Sequence, residues 1–365
     1  MVKDKLKLAI VGYGRLGKAV EQALRRDYPN YELEIITRRP IDVTKHTSLQ
    51  VIDYQDVIQN PKKYEDRYKG YILCSGAADL LTQGPFFAKL GKNIVILDSF
   101  DNHANVVSYF ESIHNPAIEN RNTYIYGLGW HPGLLSLMDS LQRTLFPGAT
   151  TCVAYGSNPS GGLSMGHGEE VRKKVEGVVD ARQYTHMNLE IIERIRSGEK
   201  VGDVLPRDKI WREVFVVAEE NADLNKIEQD IKTMPGYYAP YDTIVIFVSQ
   251  EELDKIDKER GMCHDGIVLT VGHTGLGNQA SIETKVVMKN NAEFTAYIII
   301  AYLRAAMSLN QSGQEELNEL NKLTGDKTRF EEKIRNRCFG AKTVFNIPAE
   351  LLAQESPMEL IRTRL

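Results

Sequence analysis

A short apolar strand that runs straight into Gly12-Tyr13-Gly14-Arg15-Leu16-Gly17 narrows the fold of this chain more than any other feature. Lys5 to Val11 reads as the strand. Leu16, Ala19, Val20, Ala23 and Leu24 recur at helical spacing and give one apolar stripe on a helix that stops near Pro29. Tyr31 to Thr37 reads as a second strand, so the segment is a βαβ unit. The glycines of such a unit permit a tight turn and let backbone N–H groups approach a pyrophosphate at the positive end of the helix. The spacing alone is a weak signal; the flanking strand and helix supply the context it needs. Where many dinucleotide sites place an acid after the second strand, this chain has Thr37-Arg38-Arg39. Two guanidinium groups would hold a ribose 2′-phosphate that a carboxylate would repel, so the pocket is expected to take NADP(H) rather than NAD.

At 365 residues the chain can bury two cores, and the expected fold class is α/β: an N-terminal Rossmann-type domain plus a second α+β domain for substrate binding and dimerisation. With 45 basic and 49 acidic residues, net charge −4, the chain has no broad cationic surface, and nucleic acid is not an expected partner. No segment reads as a signal peptide or as long and apolar enough to span a bilayer, so a cytoplasmic protein without a membrane partner is expected. Cys74, Cys152, Cys263 and Cys338 lie far apart with no C-x-x-C pair, which suggests neither a metal site nor a disulfide framework.

Beyond the first unit, Tyr71 to Cys74 and Ile94 to Leu97 are short continuous apolar runs separated by a helical stretch around Leu80 to Leu90, as in parallel strands buried on both faces. Their carboxyl ends run into Cys74-Ser75-Gly76-Ala77 and Asp98-Ser99-Phe100, which with the glycine loop and Thr37 to Arg39 are expected to line the cofactor crevice. A further strand, Thr123 to Tyr126, leads to a turn rich in glycine, Gly127 to Gly133. The expected division follows it: residues 1–130 hold the cofactor, with 341–365 packing back on them, and 131–340 form the second domain. Runs at Ile210 to Val217, Thr243 to Val248, Gly266 to Val271 and Ile282 to Met288 suggest an antiparallel sheet, with Leu224, Ile227, Ile231 and Met234 on one face of a helix between them. Phe294 to Met307 is apolar nearly all round, either a deeply buried helix or one side of a subunit contact. Residues 314–337 are strongly charged and read as a solvated helical insertion.

The ordered stretches Ala9 to Gly17, Thr37-Arg38-Arg39, Asp98 to His103, Gly129-Trp130-His131-Pro132-Gly133, Gly162 to His167, Gln183-Tyr184-Thr185, Met234-Pro235 and Asn291 to Ala296 resemble the meso-diaminopimelate dehydrogenase family over nearly the whole length. The resemblance implies an NADP-dependent enzyme that oxidatively deaminates the D-centre of a diamino diacid to L-2-amino-6-oxopimelate and ammonia, reversibly. It implies that Thr185, Arg212, His264 and Asn291 grip the far, L-configured head of the substrate, with Trp130, Met165 and Gly166 also lining the site. A guanidinium suits the distal carboxylate, and neutral donors fix its orientation. Arg212 shares its strand face with Ile210, Val214 and Val216, a costly setting for a charge without a partner. A homodimer is expected.

At the reacting end the family uses two aspartates. Asp101 matches the first; the second falls on His131, where the family's Gly-Trp-Asp-Pro-Gly reads Gly-Trp-His-Pro-Gly. Imidazole removes a charge and supplies a base of higher unperturbed pKa, about 6.5 against 3.9. Three outcomes follow: His131 stands in as the base, another amino acid is preferred, or turnover is weak, down to a homologue that binds cofactor without catalysis. Gly168 stands where the family commonly has serine and Met165 where it commonly has glutamine, which makes the surroundings slightly less polar.

Overall fold

The computed structural model describes residues 5–38, 48–102, 105–146, 148–199, 201 and 204–353. Arg39, His103 and residues 354–365 of the expected C-terminal return lie outside the described residues. The chain divides into two compact units, one made of the residues up to Leu134 together with those from Ala292 onward, the other of Leu135–Asn291.

In the first unit β1 (Leu6–Val11), β2 (Tyr31–Thr37), β3 (Gln50–Asp53), β4 (Gly70–Leu73), β5 (Val95–Asp98) and β6 (Thr123–Ile125) alternate with α1 (Arg15–Asp27), α2 (Tyr54–Gln59), α3 (Ala77–Leu90) and α4 (Val106–Glu119). With a strand near the C-terminus, β14 (Gly340–Lys342), they form a seven-stranded parallel sheet among the described residues, ordered β14-β6-β5-β4-β1-β2-β3. Leu8 to Val11 are at most 1 % exposed, as a parallel strand covered on both faces requires. The order reverses between β1 and β4, so the loops after these two strands flank a topological switch point, where open α/β sheets bind ligands. The short β3 escaped notice in the sequence, because only Ile52 of its four residues is buried.

The second unit holds α5 (Leu135–Leu145), β7 (Thr150–Tyr155), β8 (Gly162–Ser164), α6 (Met165–Lys174), β9 (Val178–Met187), α7 (Leu189–Arg196), β10 (Ile210–Ala218), α8 (Leu224–Lys232), β11 (Thr243–Phe247), α9 (Gln250–Arg260), β12 (His264–His273) and β13 (Gln279–Met288). The four strands read from the sequence do not form one antiparallel sheet. They divide between a four-stranded sheet, β11-β10-β9-β8, and a three-stranded one, β13-β12-β7. The β10–β11 pair is parallel, because α8 carries the chain back to the starting end between them.

From Asn291 a single helix, α10, runs to Lys322, followed by α11 (Thr328–Cys338) and β14. Residues 292–340, expected in the second domain, pack with the first unit instead. The Asn310 amide donates to Arg121 O at 2.9 Å and Thr123 Oγ1 at 3.0 Å, and Thr123 Oγ1 donates to Cys338 O at 2.7 Å. The apolar stretch from Phe294 to Met307 is therefore part of a core helix: Ala296, Ile299, Ile300, Leu303, Ala305 and Ala306 are fully buried. The charged stretch 314–337 is no separate insertion. Its first part continues α10, Leu317 is buried, and Gly313 meets Cys338 so closely that a Cβ there would lie 2.5 Å from the Cys338 Cβ. Contrary to the sequence expectation, α10 is by length and composition apolar enough to cross a membrane, yet 61 % of its most apolar stretch is buried within the protein, as in a core helix.

Candidate active site

At the end of β1 the chain turns at Gly12, φ +90°, whose N–H donates to Ile36 O at 2.8 Å. A side chain is barred there by conformation. At Gly17 it is barred by space, since a Cβ would sit 2.2 Å from Gly12 O where α1 presses on the turn. Gly14, the N-cap of α1, has nothing within 4 Å of its Cβ position and is exposed, and α1 carries no acidic residue in its first turn. The helix thus presents backbone donors toward open space, with Arg15 exposed beside them and Leu16 half-buried. Tyr13 turns its hydroxyl to the buried Glu21. Across the switch point Cys74 N–H donates to Val11 O at 2.7 Å, and Gly76 caps α3, which begins at Ala77. Burial pushes the Cys74 thiol well above its ordinary range.

Arg38 follows Thr37 at the end of β2; its guanidinium lies over the Tyr54 ring, 4.6 Å from the centroid, and donates to Asp79 Oδ1 at 2.8 Å. Asp98, expected among the cofactor contacts, is fully buried. Its carboxylate accepts from Phe100 N, Gly127 N and the hydroxyls of Tyr109 and Tyr124, so it serves the turn rather than a ligand. Phe100 is likewise core, stacked on Tyr109 at 4.0 Å. Next along, Asp101 is exposed on its loop. The other loop of this unit turns at Gly127 and Gly133, both at positive φ, and carries buried Trp130 and half-buried His131 with their rings 6.3 Å apart.

In the second unit the strand β8 gathers the residues expected at the far head of the substrate. Gly162 pairs with Thr185 on β9, and Thr185 stands directly opposite Arg212 on β10. A Cβ at Gly162 would lie 2.4 Å from His264 Nδ1, so the missing side chain makes room for the ring. The Asn291 amide donates to Leu163 O at 3.3 Å. Met165 and Gly166 open α6 immediately after β8, both half-buried. Four residues far apart in sequence are thus brought around one three-residue strand.

Arg212 is 5 % exposed, and its Nε and Nη1 are buried without a hydrogen-bond partner. The guanidinium lies over Tyr241 at 4.0 Å and Tyr238 at 5.4 Å, and burial holds its pKa below the ordinary arginine value. Aromatic faces offset only part of the cost of desolvating a cation. His264 Nδ1 lies 2.9 Å from Asp265 N and 3.1 Å from Asp265 O, and burial lowers its pKa to about 4, so the ring is neutral. The sequence reading missed Gln183, whose amide donates to Thr185 Oγ1 at 2.9 Å, and the two tyrosines over Arg212. The cluster Tyr237-Tyr238-Ala239-Pro240-Tyr241 was the available signal.

The second unit coincides with a match to the diaminopimelic acid dehydrogenase C-terminal domain over residues 129–290. Over 360 residues the chain is 38 % identical to a meso-diaminopimelate D-dehydrogenase of Ureibacillus thermosphaericus, covering 98 % of each. Among solved structures it is similar to a C. glutamicum DAP dehydrogenase in complex with DAP, at TM-score 0.81 and 30 % identity over 99 % of this chain and all of the other. An engineered D-amino acid dehydrogenase bound to NADP+ matches at the same score, identity and coverage.

Proposed function

Because this chain belongs to the meso-diaminopimelate D-dehydrogenase family, we propose that it catalyses the NADP-dependent oxidative deamination of meso-2,6-diaminopimelate at the D-centre. The observation that carries the substrate is Arg212, a buried cation with two nitrogens lacking partners. A carboxylate brought to it gains a charge-assisted pair in a low-dielectric setting. The Thr185 hydroxyl accepts from Gln183, which leaves its own proton to donate; with the neutral His264 ring and the Asn291 amide it completes a set of neutral polar groups suited to the L-configured head.

The first unit fits a phosphorylated dinucleotide: open space before Gly14, the acid-free start of α1 and the Arg38 guanidinium at the end of β2 are the chemistry a pyrophosphate and a 2′-phosphate require. When bound, NADP+ supplies the hydride acceptor. The protein must hold the D-centre amine neutral, since its lone pair drives departure of the hydride. Asp101 and His131 are the groups assigned to that proton: a carboxylate that draws in the cationic amine and an imidazole that takes its proton. Water then displaces ammonia from the oxidised carbon. Assembly as a homodimer and a cytoplasmic location belong to the same proposal; four free thiols accord with a reducing compartment.

Measuring NADPH formation with meso-, LL- and DD-diaminopimelate beside a panel of simple D-amino acids tests the assignment. The meso compound is expected to turn over fastest, and His131→Asp to preserve or raise that rate. Faster turnover of a monocarboxylic D-amino acid by the unaltered protein would sink the substrate, and a large loss in His131→Asp would give the histidine a role of its own.

A further inference from the structure

At the ends of β1 and β4 the chain leaves the sheet on backbone bonds, Gly12 N to Ile36 O and Cys74 N to Val11 O. The end of β5 is built differently, around a buried carboxylate. Asp98 Oδ1 accepts from Phe100 N at 2.9 Å and from Gly127 N at 3.1 Å, and its carbonyl accepts from Leu128 N at 2.8 Å. Oδ2 accepts from the Tyr124 hydroxyl at 2.8 Å and from that of Tyr109, and the two hydroxyls lie 2.9 Å apart. Gly84 of α3 admits the Tyr109 hydroxyl, since a Cβ there would lie 2.3 Å from it. One side chain therefore ties together two loops, the first reaching Asp101 three residues on, the second reaching His131 three residues after Leu128.

We propose that Asp98 is a positioning residue, a clasp that sets the loop of Asp101 and the loop of Trp130 and His131 in register with each other; this rests on the reading that Asp101 and His131 attend the reacting amine. A buried carboxyl group is an expensive way to hold a turn, and apolar packing would stabilise the fold as well or better. A carboxylate does what apolar groups cannot: one oxygen accepts N–H groups from two loops at once and fixes their separation to hydrogen-bond tolerance. Proton transfer is sensitive to that separation, where an error of about 1 Å costs on the order of 10²-fold.

The experiment compares Asp98→Asn, Tyr109→Phe and Tyr124→Phe in the intact enzyme, reading kcat, KM for the diamino acid and the NADPH dissociation constant. Asp98→Asn is expected to lower kcat by about 10- to 100-fold, with both binding constants within about threefold. The tyrosine variants should fall between it and the unaltered enzyme. Combined with His131→Ala, Asp98→Asn should cost much less than it does alone, because the clasp acts through the loop. Equal cost in both backgrounds, or kcat and NADPH affinity falling together with thermal stability, overturns the inference. If Asp98→Asn does not fold, the two tyrosine variants decide: unchanged kcat in both overturns it. Asp101→Asn and His131→Ala run alone keep the two readings apart, since full activity in both sinks the catalytic assignment, whereas loss there with an intact Asp98→Asn sinks only the clasp.

Discussion

Arg212 in the second unit and Arg38 in the first are the guanidinium groups proposed for the two anionic ligands, and their surroundings are opposite. Arg212 is 5 % exposed, faces two tyrosine rings and has two nitrogens without a hydrogen bond. The Arg38 side chain is 44 % exposed and already paired with Asp79. A cation held out of water has paid its desolvation before the ligand arrives, so nearly all of the pairing energy appears as binding. One that must leave a carboxylate and water for its ligand keeps only the difference. In the proposed roles, the same residue type is a specificity anchor in one place and an adjustable contact in the other.

The largest effect that would test this contrast is expected from Arg212→Met. Loss of a buried cation from its carboxylate partner is worth about 3–5 kcal/mol, so kcat/KM for the meso compound should fall by roughly 10²- to 10⁴-fold. Thermal stability of the unliganded protein should hold or rise, because an apolar side chain replaces a charge that the two tyrosine rings compensate only in part. A clear drop in Tm with little loss of kcat/KM would reverse the contrast. Smaller effects are expected at the exposed partner. Arg38→Ala should weaken NADPH by about tenfold and NADH hardly at all, while Asp79→Asn, which releases Arg38 from its competitor, should tighten NADPH by about two- to fivefold. Equal losses for both nucleotides in Arg38→Ala would take the 2′-phosphate away from it.

Acid titration gives the finest distinction. His264 is held neutral by burial with a pKa of about 4, below the free imidazole value of about 6.5. Between those values the unfolded chain takes up a proton that the folded one refuses, so stability falls as pH drops through that window. His264→Gln should flatten that part of the Tm profile. In the first unit burial raises the pKa of Glu34, but hydrogen bonds from Arg67, Lys7 and Tyr68 outweigh it and bring the value to about 2. Its contribution is present above the ordinary carboxylate value and disappears as pH falls toward 2, so unaltered protein and Glu34→Gln should converge only in that lower window. Convergence of both pairs in the same window would show that the two regions do not titrate separately.

What could be read in the sequence was the part set by local pattern. The glycine loop, α1 and β2 follow from periodicity and turn chemistry, and the buried face of Arg212 follows from alternation with Ile210, Val214 and Val216. Relations between distant segments were not legible. The parallel pairing of β10 with β11 depends on a crossover whose direction periodicity does not report, and β9 reads poorly because Arg182, Gln183 and His186 place polar groups on both its faces. Asp98 stood where a ligand contact was expected; only the partners it meets from 11, 26 and 29 residues away show that its carboxylate faces inward. The assignment of 292–340 failed for the same reason, since the charged surface of α10 and α11 conceals a seam where Asn310, Leu317 and Cys338 are buried.

The second unit is an insertion in the first, and this has a consequence for biosynthesis. Strand β6 precedes the inserted unit, but its outer neighbour β14 arrives only after that unit, α10 and α11; Thr123 and its partner Cys338 are 215 residues apart. At about 5–20 residues per second, the ribosome takes roughly ten to forty seconds to bridge that gap. Throughout that interval one edge of the nascent parallel sheet stands open, with its amides and carbonyls unpaired while the whole inserted unit is being made. The nucleotide fold is begun before the inserted unit and sealed after it.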